Sequence, residues 1–158
     1  MSGRTSPSRK LTEMNMVLPE VAAPVGSYVP AVAVGDTVLT SGQIPVQSGA
    51  LLHTGIVGAD VTFEQARACA LLCAGNALAA AAGVAGGVDR IARIVRVCVF
   101  VASAPTFTDQ AQVANAASDF FFEVFGKAGR HVRSAVGVAS LPLNVPVELE
   151  LVARIRSD

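Results

Sequence analysis

The chain is short of charge, short of cysteine and without long apolar runs, and each shortage removes a class of protein. Only 15% of its 158 residues are charged, against roughly a quarter in ordinary soluble domains. Hydrophobic residues make up 52% and mean hydropathy is +0.53, which excludes a disordered chain. Such a composition points to apolar surface hidden in an oligomer or in a membrane. No run approaches the ~20 apolar residues of a membrane span, because the richest stretch, 66–88, is mostly alanine and glycine and is interrupted by Arg67, Gly75 and Asn76. A basic excess is also missing. The 12 basic and 12 acidic residues balance, and Arg4, Arg9 and Lys10 lie in the first ten positions, so the body carries 9 bases against 12 acids. That body lacks the cationic footprint of a nucleic-acid binder. Cys69, Cys73 and Cys98 form no even framework. With only His53 and His131 to join them, they read as buried thiols in a reducing cytoplasm rather than as disulfides or a metal site. The beginning lacks the apolar core and cleavage pattern of a secretory signal. No glycine-rich turn has dinucleotide or P-loop spacing, and no cofactor is implied.

What is present reads as one domain, 17–158, behind a flexible N-terminal tail, 1–16. Tyr28 to Val34 and Thr37 to Ser41 are β-prone runs joined by Gly35-Asp36, a hairpin signal. Ser41-Gly42-Gln43-Ile44-Pro45 leaves the second strand, where Gly42 allows unusual backbone angles. Thr62-Phe63-Glu64-Gln65 is a capping-box pattern, which predicts a helix from there to about Ala82, ended by Gly83. Ile91 to Ala102 is apolar and β-branched on both faces, as a central strand would be. Thr108 is the expected cap of a second helix reaching Phe125, with Val113, Ala117, Phe120, Phe121 and Val124 on its core side. Strands follow over Val132 to Ala139 and Val147 to Ile155. The order β-β-α-β-α-β-β predicts an α+β two-layer fold, with both helices on one face of a mixed sheet and the other face solvated or covered by partners.

Alternation in the last two strands supplies the candidate chemistry. In the first of them Val132, Ser134, Val136 and Val138 fall in one phase and Arg133, Ala135 and Gly137 in the other. The valines are expected under the helices, leaving Arg133 on the opposite face beside a hollow left by small neighbours. In the last strand Val147, Leu149, Leu151, Ala153 and Ile155 form the apolar phase, and Glu148, Glu150, Arg154 and Arg156 the other. Arg133 and Glu148 are therefore expected to share the non-helical face. A guanidinium grips a carboxylate through two parallel hydrogen bonds, and a neighbouring carboxylate positions or deprotonates water. That pairing suits a small carboxylate-bearing metabolite and hydrolysis. On the residues alone, an Arg–Glu ion pair or a subunit contact stays open. His131 lies two positions before Arg133 and is either an acid/base group or a loop histidine. Arg90, Arg93 and Arg96 repeat at three, at what reads as a strand entrance with a solvated or interface role.

Gly26-Ser27-Tyr28, Thr40-Ser41-Gly42-Gln43-Ile44-Pro45, Arg133-Ser134, Leu141-Pro142 and Val147-Glu148-Leu149-Glu150 occur in an order that resembles the Rid family. These are the YjgF-like reactive-intermediate (enamine/imine) deaminases, also called L-PSP endoribonucleases, and the resemblance covers about 24–155. It implies a chorismate-mutase-like fold and a homotrimer whose sheets form a central β-barrel, with three sites between subunits. It further implies that Arg133 holds the substrate carboxylate and that Glu148 holds the attacking water. Tyr28, Ser41, Gly42 and Asn115 match pocket-lining positions. Ala135 stands where the archetype has cysteine, so backbone rather than a thiol is left there to bind water. The resemblance thus implies hydrolysis of small imine or enamine acids to 2-keto acids and ammonia, with a non-catalytic carboxylate-binding module and a ribonuclease as the other readings.

Overall fold

Two strands expected from the sequence, 91–102 and 147–155, coincide with strands of the computed structural model, which describes residues 5–21, 23–24 and 26–156. Its elements are α1 (Pro7–Glu13), β1 (Ala31–Val34), β2 (Thr37–Thr40), β3 (Val46–Gln47), β4 (Ala50–Leu51), α2 (Phe63–Ala85), β5 (Ile91–Ala102), α3 (Gln110–Phe125), β6 (Val132–Val138) and β7 (Val147–Ile155). The main sheet has the order β1-β2-β7-β5-β6. It is antiparallel except where β6 runs parallel to β5 after the α3 crossover, so it is mixed. β3 and β4 form a separate two-stranded ribbon.

The two helices cover one face. Beneath them lie Ile94, Val97, Val99 and Val101 of β5 and Val147, Leu149, Leu151 and Ala153 of β7, each 1% exposed or less. Burying each larger side chain of this kind stabilises the fold by about 1.5–3 kcal/mol. α2 lies close to the sheet because its inner residues are small: Ala66, Cys69, Ala70, Cys73, Ala74 and Ala77 are fully buried. The Cys73 thiol donates to the Val147 carbonyl at 3.6 Å. The capping box forms as expected, with Thr62 Oγ1 accepting from the Gln65 amide at 3.2 Å and the Thr62 amide donating to Gln65 Oε1 at 2.9 Å. The helix runs past Gly83 and ends at Gly86, whose φ of 86° supplies the left-handed cap. By length and composition alone this helix is able to cross a membrane, contrary to the reading above, but 72% of its most apolar window is buried inside the domain. α3 starts one residue after Asp109 rather than at a Thr108 cap, and the five core residues expected of it are all buried.

Three expectations are corrected. The tail is not loose over Pro7–Glu13: Ser6 caps α1, the Ser8 amide and hydroxyl donate to Asp89 at 2.8 and 2.7 Å, and Leu11 is 5% exposed. Seven residues are too few to show a helical period; residues 1–4 lie outside those described. The first strand begins at Ala31 and omits Tyr28. The phases of β6 are inverted, because Val132 and Val136 are 63% and 45% exposed while Arg133 bonds to α3. β6 is an edge strand pressed by the start of α3. A Cβ on Gly137 would lie 2.8 Å from Gln110 Nε2 and 2.9 Å from Ser103 Oγ. Small residues are needed on that side, and the valines are left on the open face.

Candidate functional site

The structure gathers the predicted residues into two clusters on opposite faces of the sheet. In the first, parallel pairing sets Arg133 beside Val97, whose side chain faces the helices. The guanidinium therefore reaches α3. Arg133 Nη1 donates to Asn115 Oδ1 at 2.9 Å and to Ser118 Oγ at 3.0 Å, and Nη2 donates to the Ala111 carbonyl at 3.3 Å. A guanidinium has five N–H donors. Among the described residues no partner meets the last two, on the adjacent nitrogens Nε and Nη2. Two donors on neighbouring nitrogens are what a carboxylate binds in bidentate fashion. The hollow expected beside Arg133 is filled by α3, and Ala135 packs partly buried against the core.

His131 extends the cluster. Its Nδ1 lies 2.7 Å from the Gly129 carbonyl and its Nε2 lies 2.9 Å from Ser118 Oγ. A carbonyl only accepts, so the neutral ring carries its proton on Nδ1, and Nε2 accepts the Ser118 hydroxyl. The Phe121 ring stands perpendicular to the imidazole, with ring centres 5.9 Å apart. Burial pushes the imidazole below its usual value; the Gly129 bond opposes this and the Arg133 charge reinforces it. Ser118 escaped the sequence reading although it lies three residues after Asn115, on the same helical face. Its tie to His131 depends on a turn that only the folded chain shows.

The second cluster surrounds the chain leaving β2. The Ser41 hydroxyl donates to the Val29 carbonyl at 2.7 Å. Gln43 exchanges both backbone hydrogen bonds with Leu149, at 2.8 and 2.9 Å. This clamps Gly42 against Glu148. A Cβ on Gly42 would overlap the Glu148 carboxylate and stand 2.8 Å from its Cδ. Close approach, not a left-handed backbone, is the reason for glycine here. The buried Asn76 amide holds the following segment by donating to the Ile44 and Val46 carbonyls, each at 2.9 Å. Tyr28 stands half-exposed before β1. Burial raises the Glu148 carboxyl above its ordinary value, and the charge of Glu150 adds to this. No hydrogen bond or ion pair from a described residue reaches that carboxylate.

Glu148 faces away from the helices, paired with Phe100. Arg133 and Glu148 therefore do not share a face within one chain, which corrects the pairing expected from alternation. The open face carries Val32, Val34, Leu39, Val132 and Val136, between 40% and 66% exposed, an apolar surface of the kind that marks an interface. Arg96 lies on it, donating to Ser134 Oγ at 3.1 Å, while Arg93 donates to the Arg130 carbonyl at 3.3 Å; irregularities between 91 and 93 and between 94 and 96 break the alternation of β5.

Residues 8–155 match the family described as "YjgF/chorismate mutase-like, putative endoribonuclease". Protein TCP17 of Trypanosoma cruzi is 39% identical over 157 residues, covering 99% of this chain and 97% of that protein. The 2-iminobutanoate/2-iminopropanoate deaminase of Escherichia coli K12 is 37% identical over 131 residues, covering 83% of this chain and 89% of the relative. The crystal structure of a "putative endoribonuclease" from Shewanella oneidensis MR-1 superposes with a TM-score of 0.92 at 34% identity, covering 96% of this chain and all of that one.

Proposed function

Since the chain belongs to the YjgF/chorismate mutase-like family, we propose that it hydrolyses small 2-imino or enamine acids to 2-keto acids and ammonia in pockets between the subunits of a cytoplasmic homotrimer. The observation that carries the reading is the arrangement of Arg133: three of its donors are fastened to α3 and two on adjacent nitrogens are left for a carboxylate. The relative named 2-iminobutanoate/2-iminopropanoate deaminase supports the reaction class. Because Arg133 and Glu148 occupy opposite faces of one sheet, the site needs Arg133 of one protomer and Glu148 of its neighbour. Packing of the apolar open faces around a central barrel would bring them together and would account for the low charge content.

In that pocket Arg133 holds the substrate carboxylate, with Asn115 keeping the guanidinium in place. Tyr28, Ser41 and Gly42 line the opposite wall. Glu148 takes a proton from water as the oxygen adds to the imine carbon and passes it to nitrogen, giving a carbinolamine; it then takes the hydroxyl proton and delivers it to nitrogen as the C–N bond breaks, leaving the 2-keto acid and ammonia. Burial raises the Glu148 carboxyl, which makes it a stronger proton acceptor than an ordinary carboxylate. The second reading, a carboxylate-binding module without turnover, is favoured by Ala135, which offers no thiol. Ammonia release from freshly generated 2-iminobutyrate, measured beside calorimetric 2-keto-acid binding, separates the two. Arg133→Ala is expected to abolish release and binding while leaving the assembly intact. Unchanged turnover in that variant refutes the assigned role.

A further inference from the structure

We infer that His131 is a positioning residue that acts through Ser118 to set how firmly Arg133 holds a carboxylate, and that it does so in its neutral form. The inference rests on Arg133 being the carboxylate anchor. The chain of contacts runs from the Gly129 carbonyl to His131 Nδ1, from Nε2 to Ser118 Oγ, and from Oγ to Arg133 Nη1, at 2.7, 2.9 and 3.0 Å. With Nδ1 committed to a carbonyl, Nε2 accepts the Ser118 hydrogen. The hydroxyl rotor is thereby pinned, and its lone pairs are free for Arg133. Asn115 takes the other Nη1 hydrogen, so the guanidinium is fixed from two sides.

An added proton has one place to go, His131 Nε2. That nitrogen then donates into a Ser118 oxygen that already accepts from Arg133. The Ser118 hydrogen loses its acceptor, and two cations share one oxygen. From α3 the ring meets Ser118 and the perpendicular ring of Phe121, from the preceding turn the Gly129 carbonyl, and from β6 Arg133. The charge of Arg133 disfavours protonation of the ring, as its burial does. Protonation therefore loosens Arg133 from α3. The loss of one hydrogen bond to the anchor corresponds to about fivefold in affinity.

The test is calorimetric binding of pyruvate, which stays anionic throughout, from about pH 7.5 to about pH 5.5. For the wild type the dissociation constant is expected to rise as the pH falls, approaching about fivefold as His131 becomes fully protonated. It is expected to stay level in His131→Gln, and in Ser118→Ala to be weak already at neutral pH with no further fall. Circular dichroism and size measurements check that both variants fold and assemble. The chain has two histidines, so proton NMR follows the His131 resonance, assigned by its loss in His131→Gln. By linkage, saturating pyruvate must lower the pKa of His131. The inference is overturned if His131→Gln keeps the same acid loss, which would assign it to another group such as Glu148. It is equally overturned if pyruvate raises the His131 pKa, which would mean direct attraction between imidazolium and carboxylate. Failure of the anchor reading is recognised separately: Arg133→Ala would then bind pyruvate as the wild type does.

Discussion

Replacing Gly42 by alanine should separate activity from stability. The new Cβ would stand 2.8 Å from Glu148 Cδ and 3.1 Å from its Cγ, inside the ~3.5–4.0 Å at which carbon atoms rest. The obstacle is the end of a flexible side chain, so Glu148 turns aside at a cost of about 0.5–1.5 kcal/mol for an unfavourable rotamer. For a chain of this size that lowers the melting temperature by only a few degrees, about 2–4 °C per kcal/mol. The carboxylate, however, moves by about 1 Å or more, which costs on the order of a hundredfold in rate when a reacting group is displaced. Gly129→Ala provides the contrast. Its Cβ would overlap the Phe121 carbonyl and lie 3.0 Å from Phe122 Cα. Backbone cannot swing away, so the last turn of α3 must shift, at about 1–3 kcal/mol or more. Thermal melts and ammonia release from fresh 2-iminobutyrate measure both quantities. Full turnover in Gly42→Ala, or a larger loss of stability there than in Gly129→Ala, refutes the reasoning.

Two further outcomes are expected. The Glu148 carboxyl is raised in the folded state, so the folded chain binds that proton more tightly than the unfolded one. The resulting stability is present in acid and is lost as pH rises through the raised value. Urea melts should therefore find Glu148→Gln more stable than the wild type at neutral pH, with the difference vanishing in acid; the opposite slope contradicts the assignment. Thr62→Ala removes a side-chain acceptor at the start of α2 and should cost about 1 kcal/mol in the same melts, most of it restored by Thr62→Ser. A loss of only a few tenths would show that tertiary packing alone holds that terminus.

Local patterns carried the architecture. The β-branched run at 91–102 and the alternation at 147–155 marked β5 and β7 to the residue, and Thr62 with Gln65 marked the start of α2. The resemblance carried by Ser41-Gly42, Arg133-Ser134 and Val147-Glu148 pointed to the family that the comparisons bear out. What escaped was the side of the sheet. Period-two alternation tells which residues share a face but not which face is covered, and choosing the valines as the inner phase fails for an edge strand. Contact with Gln110 and Ser103 requires Gly137 to be small, and that contact belongs to no local window. α1 was likewise hidden, since its anchors are Asp89 and a buried Leu11 rather than a pattern.

Composition and periodicity thus determined α2, β5, α3, β6 and β7, their order, and which residues of β6 and β7 share a phase, because those properties depend on neighbours along the chain. Tertiary structure alone decided that Arg133 turns toward α3, that Ser118 joins it to His131, and that Glu148 rests against Gly42 on the other face. Each of these depends on how close two distant backbones come, a distance that no stretch of sequence contains.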